Sequence, residues 1–194
     1  MVSSIEEVEN AEEGCPGDED ACALAAANGR LEKLQALREN GCPWDEDTCM
    51  YAAENGHLEV LQWARNNECP WDEGACSFAA RGIPRAADCA SPLEVLQYLR
   101  APAGDPDGRC PWDAQTCACA AGSGRLEILQ WVRANGCPWD ERTCYFAAEG
   151  GHLEILQWAR ENGCPWDSDT CGSAEANGNE EVLEWAIANG CPTY

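Results

Sequence analysis

Apolar residues recur along this chain at helical spacing in short blocks, and the blocks come in pairs. The stretch from Cys137 to Gly163 reads CPWDERTCYFAAEGGHLEILQWARENG, two helical patterns broken by Gly-Gly, with Asn-Gly at the same place in the stretch from Cys42. This predicts a helix-turn-helix unit. An Asp follows the Trp position at Asp18, Asp45, Asp72, Asp113, Asp140 and Asp167, where a carboxylate can cap the free N–H groups of a first turn. With Asp45 as the cap, Trp44 and Cys49 have the spacing of a hydrophobic staple. The second helix carries Leu58, Leu61 and Ala64, with Glu59 near its start and Arg65 near its end, the charge order that the helix dipole favours. It closes at Asn67, a position usually followed by Gly and then Cys-Pro, which stops a helix.

The unit repeats. Cys-Pro occurs at Cys15, Cys42, Cys69, Cys110, Cys137, Cys164 and Cys191, at intervals of 27 residues except for one of 41. A fixed period of this size means a solenoid, because each unit is too short to bury its own apolar face and must stack on its neighbours. The long surface of such an array suits binding rather than chemistry.

The strings AAENGHLEVL at Ala52–Leu61 and AAEGGHLEIL at Ala147–Leu156 resemble the ankyrin repeat, whose unit is about 33 residues with a T-P-L-H-x-A-A opening. The resemblance runs from about Cys15 to the end. T-P-L-H is missing and the unit is shorter, so the β-hairpin finger of an ordinary ankyrin unit looks replaced by a compact Cys-Pro-Trp-Asp turn. The chain is similar to the 27-residue ankyrin variant of algae, oomycetes and large DNA viruses. The resemblance implies an all-α solenoid of about six stacked repeats with β-fingers shortened or absent, and a buried role for Cys49. It also implies a non-enzymatic protein-binding scaffold whose first helices line a concave surface.

Charge narrows the partner. With 35 Asp plus Glu against 12 Lys plus Arg, the formal charge is -23, which repels a nucleic-acid backbone and favours a basic protein partner. The competing reading is that these acids only solvate and cap helices. No run of 18 apolar residues occurs, and MVSSIEEVENAEEG lacks the basic and apolar regions of a signal peptide. The expectation is an intracellular, cytoplasmic monomer with neither a membrane nor a nucleic-acid partner.

Of the 15 cysteines, only Cys89 and Cys119 fall outside the repeat positions. Each C-x6-C could be a metal or redox pair, which would make the chain a thiol-based metal-binding or redox protein. Zinc sites, however, need four ligands at tighter spacing, and only His57 and His152 are present to help. Buried structural thiols are expected instead, with no cofactor. The tryptophans recur at Trp44, Trp71, Trp112, Trp139 and Trp166 and at Trp63, Trp131, Trp158 and Trp185, as a stacking core demands. Arg38, Arg65, Arg100, Arg133 and Arg160 recur as C-terminal helix charges placed to stack on those rings. The positions equivalent to the two histidines hold Arg30, Pro92, Arg125 and Asn179, which reads as a turn element. No Ser-His-Asp, Cys-His, paired-carboxylate or phosphate-loop arrangement stands outside the repeat, so no enzyme is expected.

Specificity belongs where the units differ. Along the first helix these positions are Met50, Ser77, Ala118, Tyr145 and Gly172, with Glu54, Arg81, Gly122 and Glu149 a turn later. The third unit carries loop insertions near 81–92 and 101–109, and between them Ser91-Pro92-Leu93-Glu94 forms a capping box that opens its second helix. The first loop brings Arg81, Ile83 and Arg85 onto an acidic protein. The expected partner-binding set is Met50, Glu54, Ser77, Arg81, Ile83, Arg85, Tyr145 and Glu149. Residues 1–14 form an acidic segment, a short helix or a disordered stretch, ahead of the array at 15–194.

Overall fold

A computed structural model of the chain describes residues 20–82, 89–101 and 109–193. The expected N-terminal segment, Asp18, Ile83 and Arg85 lie outside the described residues. Elsewhere the caps set the helices. Asp45, Asp72, Asp113, Asp140 and Asp167 each sit in extended backbone and accept the N–H two residues on, at 2.9 to 3.1 Å. They open α3 (Glu46–Glu54), α5 (Glu73–Arg81), α7 (Ala114–Gly122), α9 (Glu141–Glu149) and α11 (Ser168–Ala176). With α1 (Asp20–Ala27) these are the first helices of six units. The second helices are α2 (Leu31–Glu39), α4 (Leu58–Asn66), α6 (Pro92–Arg100), α8 (Leu126–Ala134), α10 (Leu153–Glu161) and α12 (Glu180–Ala188). Among the described residues there is no strand, so the hairpin finger is absent and the Cys-Pro-Trp-Asp turn stands in its place. No helix described is long and apolar enough to cross a membrane.

Side-chain size then sets the layers. The first helices bury Ala52, Ala53, Ala79, Ala80, Ala120, Ala121, Ala147 and Ala148, and these small residues let α1, α3, α5, α7, α9 and α11 stack closely in order. The second helices bury Leu61, Leu96, Leu129 and Leu156 against their own partners and approach one another far less. Their outer edge is filled by aromatic pairs, each within one unit. Trp44 meets Trp63 edge-on at 5.8 Å, and Trp112–Trp131, Trp139–Trp158 and Trp166–Trp185 repeat this at 5.9 to 6.3 Å. Arg38, Arg65, Arg100, Arg133 and Arg160 lie 3.9 to 4.2 Å over the rings of Trp44, Trp71, Trp112, Trp139 and Trp166. Each of these guanidinium groups also donates to the carbonyl of the following Cys-Pro cysteine.

The third unit keeps this plan. Arg81 closes α5 instead of lying in a loop, and α6 opens with the expected capping box, Pro92 at its first position.

Candidate interaction face

The first helices present one open stripe. In α3 it runs through Asp47, Met50, Tyr51 and Glu54, and in α5 through Gly74, Ser77, Phe78 and Arg81, the i, i+3, i+4, i+7 face of a helix. The opposite faces are spent on stacking. Along the stripe Tyr51 meets Phe78 edge-on at 6.5 Å, and Arg81 lies 4.9 Å over Phe78 while its guanidinium pairs with Glu54 at 2.9 Å. Two units further on, Tyr145 and Phe146 meet at 5.1 Å, and Arg142 pairs with Asp140 at 2.8 Å while donating to Gln115 at 3.0 Å. Aromatic rings thus alternate with charges of both signs on a surface that the fold leaves uncovered.

The expected binding residues divide here. Arg81 and Glu149 are exposed, and Met50 and Tyr145 are half-buried on the stripe. Ser77 and Glu54 are turned inward, only 3% and 7% exposed. The Ser77 hydroxyl shares a hydrogen bond with Thr116 at 3.3 Å, and Glu54 serves to hold Arg81 in place. The position two after the helical cysteine went unnoticed in the sequence, yet it also places apolar side chains on the stripe: Leu24, which is exposed, and Tyr51, Phe78, Cys119 and Phe146, which are half-buried. Its signal was present as a position of varying identity at the repeat period, lying within the same helical face.

The cysteines have a different geometry from C-x6-C pairing. The thiols that face each other are separated by a unit boundary: Cys49 with Cys69, Cys76 with Cys110, Cys117 with Cys137 and Cys144 with Cys164. In each pair the neighbouring thiol, and then burial, pushes Cys69, Cys110, Cys117 and Cys144 well above the ordinary thiol range. Burial pushes Cys191 up to about 12. These are protonated, inert side chains at neutral pH. The Cys-Pro thiols Cys69, Cys110, Cys137, Cys164 and Cys191 donate instead to the carbonyl of the capping Asp one unit back, at 3.0 to 3.4 Å. No group of three or more His, Cys, Asp or Glu among the described residues is arranged to hold a metal.

In four units the residue ahead of the second helix is more than a turn element. His57 donates to Ala27, Arg125 to Arg81 and Gly82, His152 to Gly122, and Asn179 to Ala148 and Glu149. All of these acceptors are carbonyls at the end of the preceding first helix, left free by helix geometry. Any side chain with a donor of that reach fills the role, which is why the residue type varies.

No family model matches the chain, and no curated protein matches it. Solved structures do. The chain is similar to the human ASB11 ankyrin repeat domain, with a TM-score of 0.55 and 18% identity over 88% of this chain and 84% of that one. This chain has the ankyrin-repeat fold. Its helix pairs are ankyrin-like units in which a buried cysteine, Cys49 and its equivalents, takes the core position at the start of each first helix. The stripe described above is thus the first-helix face of an ankyrin-repeat array.

Proposed function

We propose that this ankyrin-repeat array is a non-enzymatic protein-interaction scaffold, binding its partner through the first-helix stripe and the insertions of the third unit. The observation that carries the reading is the run of half-buried aromatic side chains on the stripe, Tyr51, Phe78, Tyr145 and Phe146, set among Arg81, Arg142 and Glu149. Aromatic anchors ringed by charge are the composition of binding hot spots. Met50, Arg81, Tyr145 and Glu149 contact the partner directly in this reading, while Ser77 and Glu54 shape the surface from beneath. Ile83 and Arg85 of the first insertion belong to the same proposed contact. The formal charge of -23 favours a partner whose rim is basic.

The test compares affinity capture by the intact chain, by Tyr51→Ser with Phe78→Ser, and by a chain lacking the 14 residues by which the third unit exceeds the 27-residue period. Loss of a stoichiometric partner by about a hundredfold in Kd is expected for the double substitution. Full retention by that variant, with an unchanged melting point, would place the contact elsewhere. Loss only with the shortened chain would assign it to the insertions.

A further inference from the structure

Cys89 lies outside the repeat, and the fold sets it against a histidine. The last residues of the first insertion fold back on the second unit: the Ala90 N–H donates to the Gly56 carbonyl at 2.9 Å. Gly56, with φ of +74°, permits the approach, since a Cβ there would stand 2.5 Å from the Ala90 oxygen and 3.2 Å from the Cys89 Cβ. This strap places Cys89 Sγ 3.9 Å from His57 Nδ1. The other ring nitrogen, Nε2, lies 3.2 Å from the Ala27 carbonyl. A carbonyl can only accept, so Nε2 carries the proton and Nδ1 offers its lone pair to the thiol. A half-buried cysteine, a ring nitrogen able to take its proton and a carbonyl that orients the ring have thus been brought together from two units. The pair opens on a cleft of about 590 Å³, also lined by Gly29, Glu59 and Glu94.

We propose that Cys89 is a reactive thiol, served by His57 as general base, that exchanges with small cationic disulfides such as those of aminothiols. As Cys89 Sγ attacks one sulfur of the disulfide, its proton passes to His57 Nδ1. A new S–S bond forms to Cys89, the S–S bond of the reagent breaks, and the departing thiolate takes the proton from Nδ1 and leaves as a thiol. Cys89 is oxidised and the reagent reduced, with no further oxidant. Among the described residues, the titratable groups lining the cleft are His57, Cys89, Glu59 and Glu94. The two carboxylates, on a chain of formal charge -23, select a cationic reagent over an anionic one. Cys89 thereby differs from the described repeat cysteines, which are buried.

His57→Asn isolates the base, because Asn179 performs the carbonyl tie at the equivalent position of the sixth unit with an amide in place of a ring. The full chain, freed of reductant, is treated with cystamine at neutral pH, and adducts are timed by intact mass and located by peptide mapping. General-base help to a half-buried thiol predicts a Cys89 rate about tenfold above that of an unstructured cysteine peptide, falling about tenfold in His57→Asn. Cystamine is expected to outpace oxidised glutathione at Cys89 by more than it does at the peptide. A Cys89 rate at or below the peptide's overturns the proposal. So does a fast rate that His57→Asn leaves unchanged, since the ring is then only structural. If His57→Asn lowers the melting point, His57→Gln takes its place, and the wild-type comparison with the peptide decides alone if both do.

Discussion

Cys69, Cys110, Cys117 and Cys144 are fully buried, and each meets a second thiol across a unit boundary, so deprotonating them inside the array is unfavourable. The folded chain therefore holds these protons above pH 9, where the unfolded chain releases them. Their stabilising effect is complete below the ordinary thiol range and is lost as pH rises beyond it, at up to about 1.4 kcal/mol per pH unit for each thiol. The melting temperature is expected to fall steeply from pH 9 to 11. A melting temperature flat over that interval would mean that the thiols are not held as described. The buried role of Cys49 was legible in the sequence, but the partner of each thiol was not. Cys49 and Cys69 stand 20 residues apart and meet only because one unit stacks on the next.

At the scale of the element, the ends of the helices carry the argument. Outside the third unit, second helices close on a residue in the left-handed region, filled by Gly41, Gly136, Gly163 and Gly190. In the second unit the residue there is Glu68, with φ of 66° and exposed to solvent. A side chain in that conformation costs about 1 kcal/mol that glycine avoids. Glu68→Gly should therefore raise stability by about 1 kcal/mol, read from the midpoint of urea unfolding, whereas Gly163→Ala should lower it by a similar amount. No gain in the first variant would mean that Glu68 makes a compensating contact. The two helices of each unit, their Asp caps and the Ser91–Glu94 capping box all follow from local rules of periodicity and capping. The same rules reach the sixth unit, where Ile187 replaces the stacking Arg and is 51% exposed, Thr193 following Cys191-Pro192 in place of Trp.

For the whole molecule, the formal charge of -23 is spread over an array in which the main packing contacts among the described residues are between neighbouring units. Self-repulsion then opposes stacking, and salt relieves it. Raising ionic strength from about 20 mM to 300 mM, where the screening length falls below 10 Å, should raise the melting temperature by a few degrees, and a decrease would show that surface ion pairs such as Arg142–Asp140 outweigh the repulsion. The period, the helix pairs, the caps and the array itself were determined by the sequence alone, because a 27-residue repeat states its nearest-neighbour contacts six times over. Tertiary structure decided what lies between units. It turned Ser77 and Glu54 inward, left Tyr51, Phe78 and Phe146 half-buried on the first-helix face, and tied His57 to the carbonyl of Ala27. It also set Cys89 against His57, 32 residues away along the chain, through an insertion that breaks the repeat. Local patterning cannot state such contacts, because the rotation of one unit upon the next and the path of an irregular loop are set by packing across the stack.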